Sequence, residues 1–201
     1  ITNIVVGSPD GYLQPLFGLR FETMIAESEQ PALGGYRNLG PVRFGNAAYH
    51  QVQNDGYGSV ILAVAQSFYD SRMLAPGTVE TYRLLVPLGA QAEARWDQPD
   101  AGVWEFRTRA SVHTHSAAIC WAACDRLAHL GLPEDAARWR ASAERTRAGI
   151  LERAWSDKAG AFASTFGGDE MDASLLMLAD TGLVAPDDPR FLATVARIEE
   201  T

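Results

Sequence analysis

Apolar residues along this chain recur at steps of three and four, the spacing that gathers them on one face of a helix. That spacing predicts a helix over about residues 46–72, stopped by Pro76-Gly77. A second is predicted over 78–95, with Val79, Tyr82, Leu85 and Val86 on its stripe. Pro87 falls inside it and is expected to kink or break it, because its ring clashes with the preceding turn. Ile119, Ala123, Leu127 and Leu130 predict a half-buried third helix over 115–130. Pro133-Glu134-Asp135 opens a fourth, with proline and acids in the first turn where the macrodipole favours them. Its stripe is Trp139, Ala143, Thr146 and Ile150. Beyond the Gly160 and Gly167-Gly168 turns, Asp169 or Asp172 is placed to cap a fifth that carries Leu175, Leu176 and Leu178. Asp187-Asp188-Pro189 signals the start of a sixth. No stretch alternates apolar and polar residues with β-branched enrichment, so the expected class is all-α.

The first 45 residues break this pattern. Gly7, Pro9, Gly11, Pro15, Gly18, Pro31, Gly34, Gly35, Gly40, Pro41 and Gly45 exclude a long helix there. The expected organisation is a loop-rich segment over 1–45 and helical hairpins over 46–201. Leu130 to Pro133 is a short connection, the kind that makes an antiparallel pair. Trp96 to Thr114 is a long one, rich in Trp and acid rather than Ser and Gly. Long loops within compact domains usually carry function, so this is where chemistry is expected.

The chain has 201 residues, 47% hydrophobic and 21% charged, as a globular domain has. Its formal net charge is −8, from 17 Lys and Arg against 25 Asp and Glu. Nucleic-acid binders need clustered cations to release counterions, and anionic membrane surfaces need them too, so neither is an expected partner. No apolar run approaches the roughly 20 residues of a spanning helix. Cys120 and Cys124 lie one helical turn apart and are expected to pack as small apolar residues, not to form a disulfide framework. A reducing compartment, the cytoplasm, is the expected location. His113 and His115 stand near Cys120, but alternate positions on an extended segment point to opposite faces and no acid stands at ligand spacing. No metal and no cofactor are expected.

The long loop reads Trp96-Asp97-Gln98-Pro99-Asp100-Ala101-Gly102-Val103-Trp104-Glu105-Phe106-Arg107. An acid flanked by two aromatic rings is expected to be partly desolvated, which lets it hold a proton and deliver it to a leaving group. Indole beside carboxylate also suits sugars, whose C–H faces pack on rings while their hydroxyls bond to acids. The bland reading is that Trp104 anchors the loop and Glu105 is a solvated surface acid. Asp55 with Tyr57 either lines a site or caps and packs a helix, and Asp172 reads as a cap.

Pro99-Asp100-Ala101-Gly102-Val103-Trp104-Glu105 resembles the Pro-Asp-x-Gly-Ile-Trp-Glu signature of glycoside hydrolase family 15, which includes glucoamylases, glucodextranases and bacterial trehalases. The likeness continues through Thr114-His115-Ser116 and Cys120-Trp121-Ala122. Upstream it takes in Gly35-Tyr36-Arg37, the run from Pro41 to Tyr49, and Gln51, Gln53, Asp55, Tyr57 and Gly58. Downstream it takes in Leu151 to Trp155, Gly160-Ala161-Phe162 and Asp172 to Leu176. Several motifs in collinear order are far more specific than any one of them.

The resemblance implies an (α/α)6 toroid, twelve helices in two concentric rings, of which six predicted helices make about half. It implies Glu105 as general acid, Trp104 beside the bound sugar, and Tyr36, Arg37, Arg43, Asn46 and Asp100 as substrate-binding residues. The implied reaction is inverting, exo-acting release of glucose from an α-glucoside of maltooligosaccharide, dextran or trehalose type. Inversion needs a second carboxylate about 6.5–9.5 Å from the acid, with water between. No segment after Asp172 matches the family's base, and its early Arg-Asp motif is missing. The start on Ile1 and the uncapped helix at Thr201 agree with that, and the expectation is a partial catalytic domain over 1–201, inactive alone and prone to self-association through uncovered apolar faces.

The sequence also departs from the family. Val112-His113-Thr114-His115-Ser116-Ala117 stands where the family usually has His-Phe-Thr-x-Ser-Lys, and Gly56 replaces a bulky residue. Those departures motivate an alternative, a noncatalytic carbohydrate-binding or structural relic on the same scaffold. A helical-hairpin interaction module is a third reading, one that needs no acid at Glu105.

Overall fold

The computed structural model describes residue 7 and residues 11–200. They divide into two compact units, one of Gln14–Val52 and the other of the described residues up to Leu13 with those from Gln53 onward.

The Gln14–Val52 unit contains two short strands, β1 (Ser28–Gln30) and β2 (Val42–Phe44), paired antiparallel with Glu29 opposite Arg43. Cross-strand opposite charges support such a pair, and Arg43 reaches Glu29 at 3.1 Å and Glu27 at 3.0 Å. Tyr36–Asn38 forms a 3₁₀ turn between the strands. Asn46 caps a second, Ala47–His50, by accepting a hydrogen bond from Ala48 N–H at 2.9 Å.

The second unit is built of helices: α1 (Asp55–Tyr69), α2 (Val79–Arg95), α3 (Thr114–Leu130), α4 (Pro133–Arg153), the single turn α5 (Met177–Asp180) and α6 (Pro189–Glu199). A second strand pair, β3 (Trp155–Ser156) with β4 (Ala161–Phe162), closes the turn at Gly160. Among the described residues, strand pairing is confined to these two small ribbons and two isolated bridges. The helical class holds. No described helix is long and apolar enough to cross a membrane.

Three elements differ from their sequence signals. The helix expected from residue 46 begins at Asp55, because Asn54 sends its N–H to Asp100 and its side-chain amide to the carbonyl of Gln98. Pro87 leaves α2 unbroken from Val79 to Arg95. The third difference is α3, which is buried on nearly every side: all residues from Thr114 to Cys124 are buried, as are Leu127 and Ala128. It lies against α1, α2 and α4, and its alanines and cysteines are small enough to let neighbours close on the faces away from its leucine stripe.

Close approach between helices relies on glycine. A side chain on Gly58 of α1 would collide with the backbone carbonyl of Ile119 on α3. One on Gly89 of α2 would collide with Leu127 and with the Trp139 ring of α4. Trp139 is fully buried and donates from Nε1 to the Tyr82 hydroxyl at 3.1 Å, and that hydroxyl donates to Asp135 at 3.2 Å. Glu93 of α2 pairs with Arg138 and Arg145 of α4 at the edge of the same contact. Cys120 and Cys124 are free and buried in α3, and burial pushes the Cys124 thiol up to about 11.

Capping follows the sequence. Asp188 accepts from Arg190 N–H at 2.9 Å and starts α6. Asp172 accepts from Ser174 N–H at 2.8 Å and starts a 3₁₀ turn, Ala173–Leu176, that runs into α5. Asp169, the other candidate cap, bonds instead to Ser156 and pairs with Lys158.

Candidate active site

The loop between α2 and α3 is pinned at several points. Asp100 and Ser111 exchange backbone hydrogen bonds of 2.9 and 3.1 Å, which closes the loop at its base. The Asp100 carboxylate is buried and accepts from Asn54 N–H at 2.8 Å and from Gly102 N–H at 3.1 Å. Gly102 has φ +67, and a side chain there would press on the His113 ring at 2.8 Å. Only glycine meets both demands without strain.

Gly102 O then accepts from Glu105 N–H, and Ala101 O from Phe106 N–H, both at 3.0 Å. This tight turn holds Glu105 at φ +55, in the left-handed region that side chains rarely adopt. Such outliers persist where the surroundings over-determine them. The Glu105 side chain is exposed. The partly desolvated acid between two rings expected from Trp104-Glu105-Phe106 is therefore not what the turn produces: Trp104 and Phe106 line one cavity while Glu105 is exposed. Gln53 Nε2 lies 3.4 Å from Glu105 Oε1.

Trp104 is 54% exposed and lines one wall of a cavity of about 240 Å³. A second wall is a three-layer stack, with the Arg109 guanidinium 3.9 Å from the Phe106 ring centre and that ring stacked on His113 at 5.7 Å. Ser164, Thr165, Glu170 and Asp172 supply polar groups opposite. Aromatic faces beside carboxylates and hydroxyls suit a polyhydroxylated ring.

Behind this cavity the first turns of α1 and α3 hold a buried polar cluster. Burial raises the Asp55 carboxyl above its ordinary range, against the opposing pull of His115. It likewise lowers His115, against the attraction of Asp55, Asp100 and Asp172. For both groups desolvation outweighs the charge pairing. Asp55 Oδ1, His115 Nδ1, Ser116 Oγ and His113 Nε2 are buried without hydrogen-bond partners. His113 is the extended residue that precedes α3, bridged to Thr165, while His115 lies in the first turn of the helix, and both interact electrostatically with Asp55. No three His, Cys, Asp or Glu among the described residues are grouped to hold a metal ion.

The residues singled out from the sequence fall into two sets. Asp100, Trp104 and Glu105 share the loop just described. Tyr36, Arg37, Arg43 and Asn46 share the Gln14–Val52 unit: Tyr36 is 77% exposed, Arg37 lies over its ring, Arg43 pairs with Glu27 and Glu29, and Asn46 caps a turn. Arg109, His113, Glu170 and Asp172 were not singled out as a binding group, since the cavity assembles them from segments about 60 residues apart.

The sequence profile of the glycosyl hydrolases family 15 matches residues 2–201. This chain belongs to that family. Its relatives within family 15 include the trehalase of Mycobacterium tuberculosis, 37% identical over 94% of this chain, and that of Mycolicibacterium smegmatis, 38% identical over 94%. The trehalase of Thermoplasma volcanium is 33% identical over 83% of the chain. The chain spans 28%, 28% and 27% of the length of these three relatives. Two solved structures, a glycosidase F290Y and a glycosidase E335A in complex with glucose, share the fold. Each has a TM-score of 0.59 and 22% identity, covering 81% of this chain and 45% of the other. The helices of this family 15 chain are thus part of an (α/α)6 toroid, as its motifs implied.

Proposed function

We propose that this chain carries the general-acid part of an inverting, exo-acting glycosidase that releases glucose from an α-glucoside, with trehalose as the favoured substrate. The observation that carries the reading is the family 15 signature Pro99 to Glu105 folded as a pinned turn, with Glu105 presented to solvent directly after the cavity-lining Trp104. The relatives named trehalase favour trehalose over maltooligosaccharides and dextran.

Glu105 donates its proton to the glycosidic oxygen as the bond to the anomeric carbon breaks. Water attacks the opposite face of that carbon, activated by a carboxylate supplied from outside this chain. Trp104 packs against a sugar face. Arg109, Glu170 and Asp172 meet hydroxyls, while Asp100 holds the loop in register. The family resemblance adds Tyr36, Arg37, Arg43 and Asn46 as substrate-binding residues. The free, buried thiols fit a cytoplasmic, reducing setting.

The alternative, a noncatalytic sugar-binding relic, rests on Ala117, fully buried where the resembling family carries lysine. Replacing Glu105 by Gln in the full-length protein separates the two. Glucose release from trehalose should be abolished while sugar binding, followed by calorimetry, persists. Turnover equal to wild type overturns the assignment of Glu105. A wild-type protein that binds sugar without turnover favours the relic.

A further inference from the structure

We propose that Gln53 is a positioning residue that decides which oxygen of Glu105 carries the proton delivered to the substrate. The inference rests on the reading of Glu105 as general acid. Its starting point is the approach of Gln53 Nε2 to Glu105 Oε1 at 3.4 Å. An amide nitrogen only donates, so the oxygen facing it must accept. In a protonated carboxyl group the carbonyl oxygen is the better acceptor. Gln53 therefore favours Oε1 as the carbonyl oxygen and Oε2 as the oxygen that holds the proton.

The consequence for the reaction is directional. When the Oε2–H bond breaks, its proton goes to the glycosidic oxygen, the bond from that oxygen to the anomeric carbon breaks, and its electron pair stays on the departing oxygen. Glu105 becomes a carboxylate in the same step. The Gln53 hydrogen bond to Oε1 then becomes charge-assisted, which makes it roughly twice as strong. A contact that strengthens as the barrier is crossed accelerates the step instead of merely tightening binding.

The backbone around Gln53 is built for such a task. The next residue, Asn54, donates its N–H to Asp100 and its amide to Gln98 O at 3.0 Å, so it is tied to the loop that carries Glu105. Its carbonyl accepts from the Cys120 thiol of α3 at 3.2 Å. On the other side of the contact, Glu105 is fixed by its N–H bond to Gly102 O. Donor and acceptor are thus each held by backbone anchors of their own.

The test compares Gln53→Ala and Gln53→Glu with wild type in the full-length protein, on trehalose and on α-glucosyl fluoride. Fluoride leaves without needing a proton. Both variants should lose roughly tenfold in kcat on trehalose, with KM changed by less than about twofold, and keep near wild-type turnover of the fluoride. Gln53→Glu preserves the shape while removing the donor, and circular dichroism melts confirm that each variant is folded. An equal loss on both substrates, or no loss on trehalose, overturns the proposal. Glu105→Gln, measured alongside, keeps the two readings separate. If it retains trehalose turnover, the general-acid reading fails. If it loses trehalose but not fluoride turnover while Gln53→Ala matches wild type on both, only the role of Gln53 fails.

Discussion

Asn54 and Asp100, 46 residues apart, are joined by a hydrogen bond of 2.8 Å from the Asn54 backbone N–H to the buried Asp100 carboxylate. The contact explains two features together. It ends the helical signal before α1, and it fastens the turn that presents Glu105. Asp100→Ala leaves both the Asn54 and Gly102 N–H groups without their acceptor, at a cost of about 3 kcal/mol. Asp100→Asn keeps one acceptor oxygen and should cost about half as much. Urea unfolding of the full-length protein measures both, and equal stabilities for Ala and wild type would contradict the role.

Gly58 supplies a test with an unusual sign. In an exposed helix interior, Gly→Ala stabilises by about 1 kcal/mol. Here the added methyl meets the Ile119 carbonyl, which is backbone and cannot swing aside. Gly58→Ala should therefore destabilise by about 2 kcal/mol, read as a lower denaturation midpoint with an unchanged slope.

Trp139 and Tyr82 should behave as a coupled pair. Trp139→Phe removes the donor to the Tyr82 hydroxyl and should cost about 1–2 kcal/mol, and Tyr82→Phe strands the buried indole N–H at similar cost. The double variant should cost less than the sum, because neither partner is then left waiting. Strict additivity in a double-mutant cycle would show that the contact carries no energy.

Stability should fall on the acid side through His115. Burial lowers its folded pKa below the ordinary 6.5. The contribution of the neutral imidazole is present above 6.5 and is lost as pH falls through the lower folded value, since the unfolded chain takes up the proton first. Asp55 runs the other way. Its folded pKa is raised above 3.8, so its contribution is complete below 3.8 and is lost as pH rises through the folded value. Asp55, Asp100, Asp172 and His113 all act on His115. His115→Gln should flatten the melting temperature below pH 6.5, and an unchanged slope there would remove His115 as the cause.

How much of this was legible beforehand varies by element. The α4 helix was readable from its opening Pro133-Glu134-Asp135 and its stripe, and α6 from Asp188-Pro189, because caps and stripes are set by neighbours within four residues. Residues 46–54 do not join α1: Ala47–His50 form only a 3₁₀ turn capped by Asn46, and Asn54 bonds to Asp100 and Gln98, partners that no local window contains. The burial of α3 exceeded its half-buried signal because its other faces carry small residues, which look neutral in a hydrophobic pattern yet allow close packing. Of the two environments the sequence left open for Glu105, partly desolvated between rings or solvated at the surface, the structure has the exposed one. The turn around Gly102 orients it, and adjacency to Trp104 and Phe106 does not.

The sequence by itself determined the helical class, the starts of α2, α3, α4 and α6, the long loop between the second and third helices, and membership of family 15. These follow from periodicity, capping and ordered motifs, which act over a few residues or are matched in line. Only the tertiary structure decided that Asp100 faces inward to hold the loop, that Trp104, Arg109, His113, Glu170 and Asp172 line one cavity, and that Gln53 meets Glu105 across 52 positions. Each of those depends on two segments being brought together, and the chain pays that entropy through the packing of α1, α2 and α4 around α3.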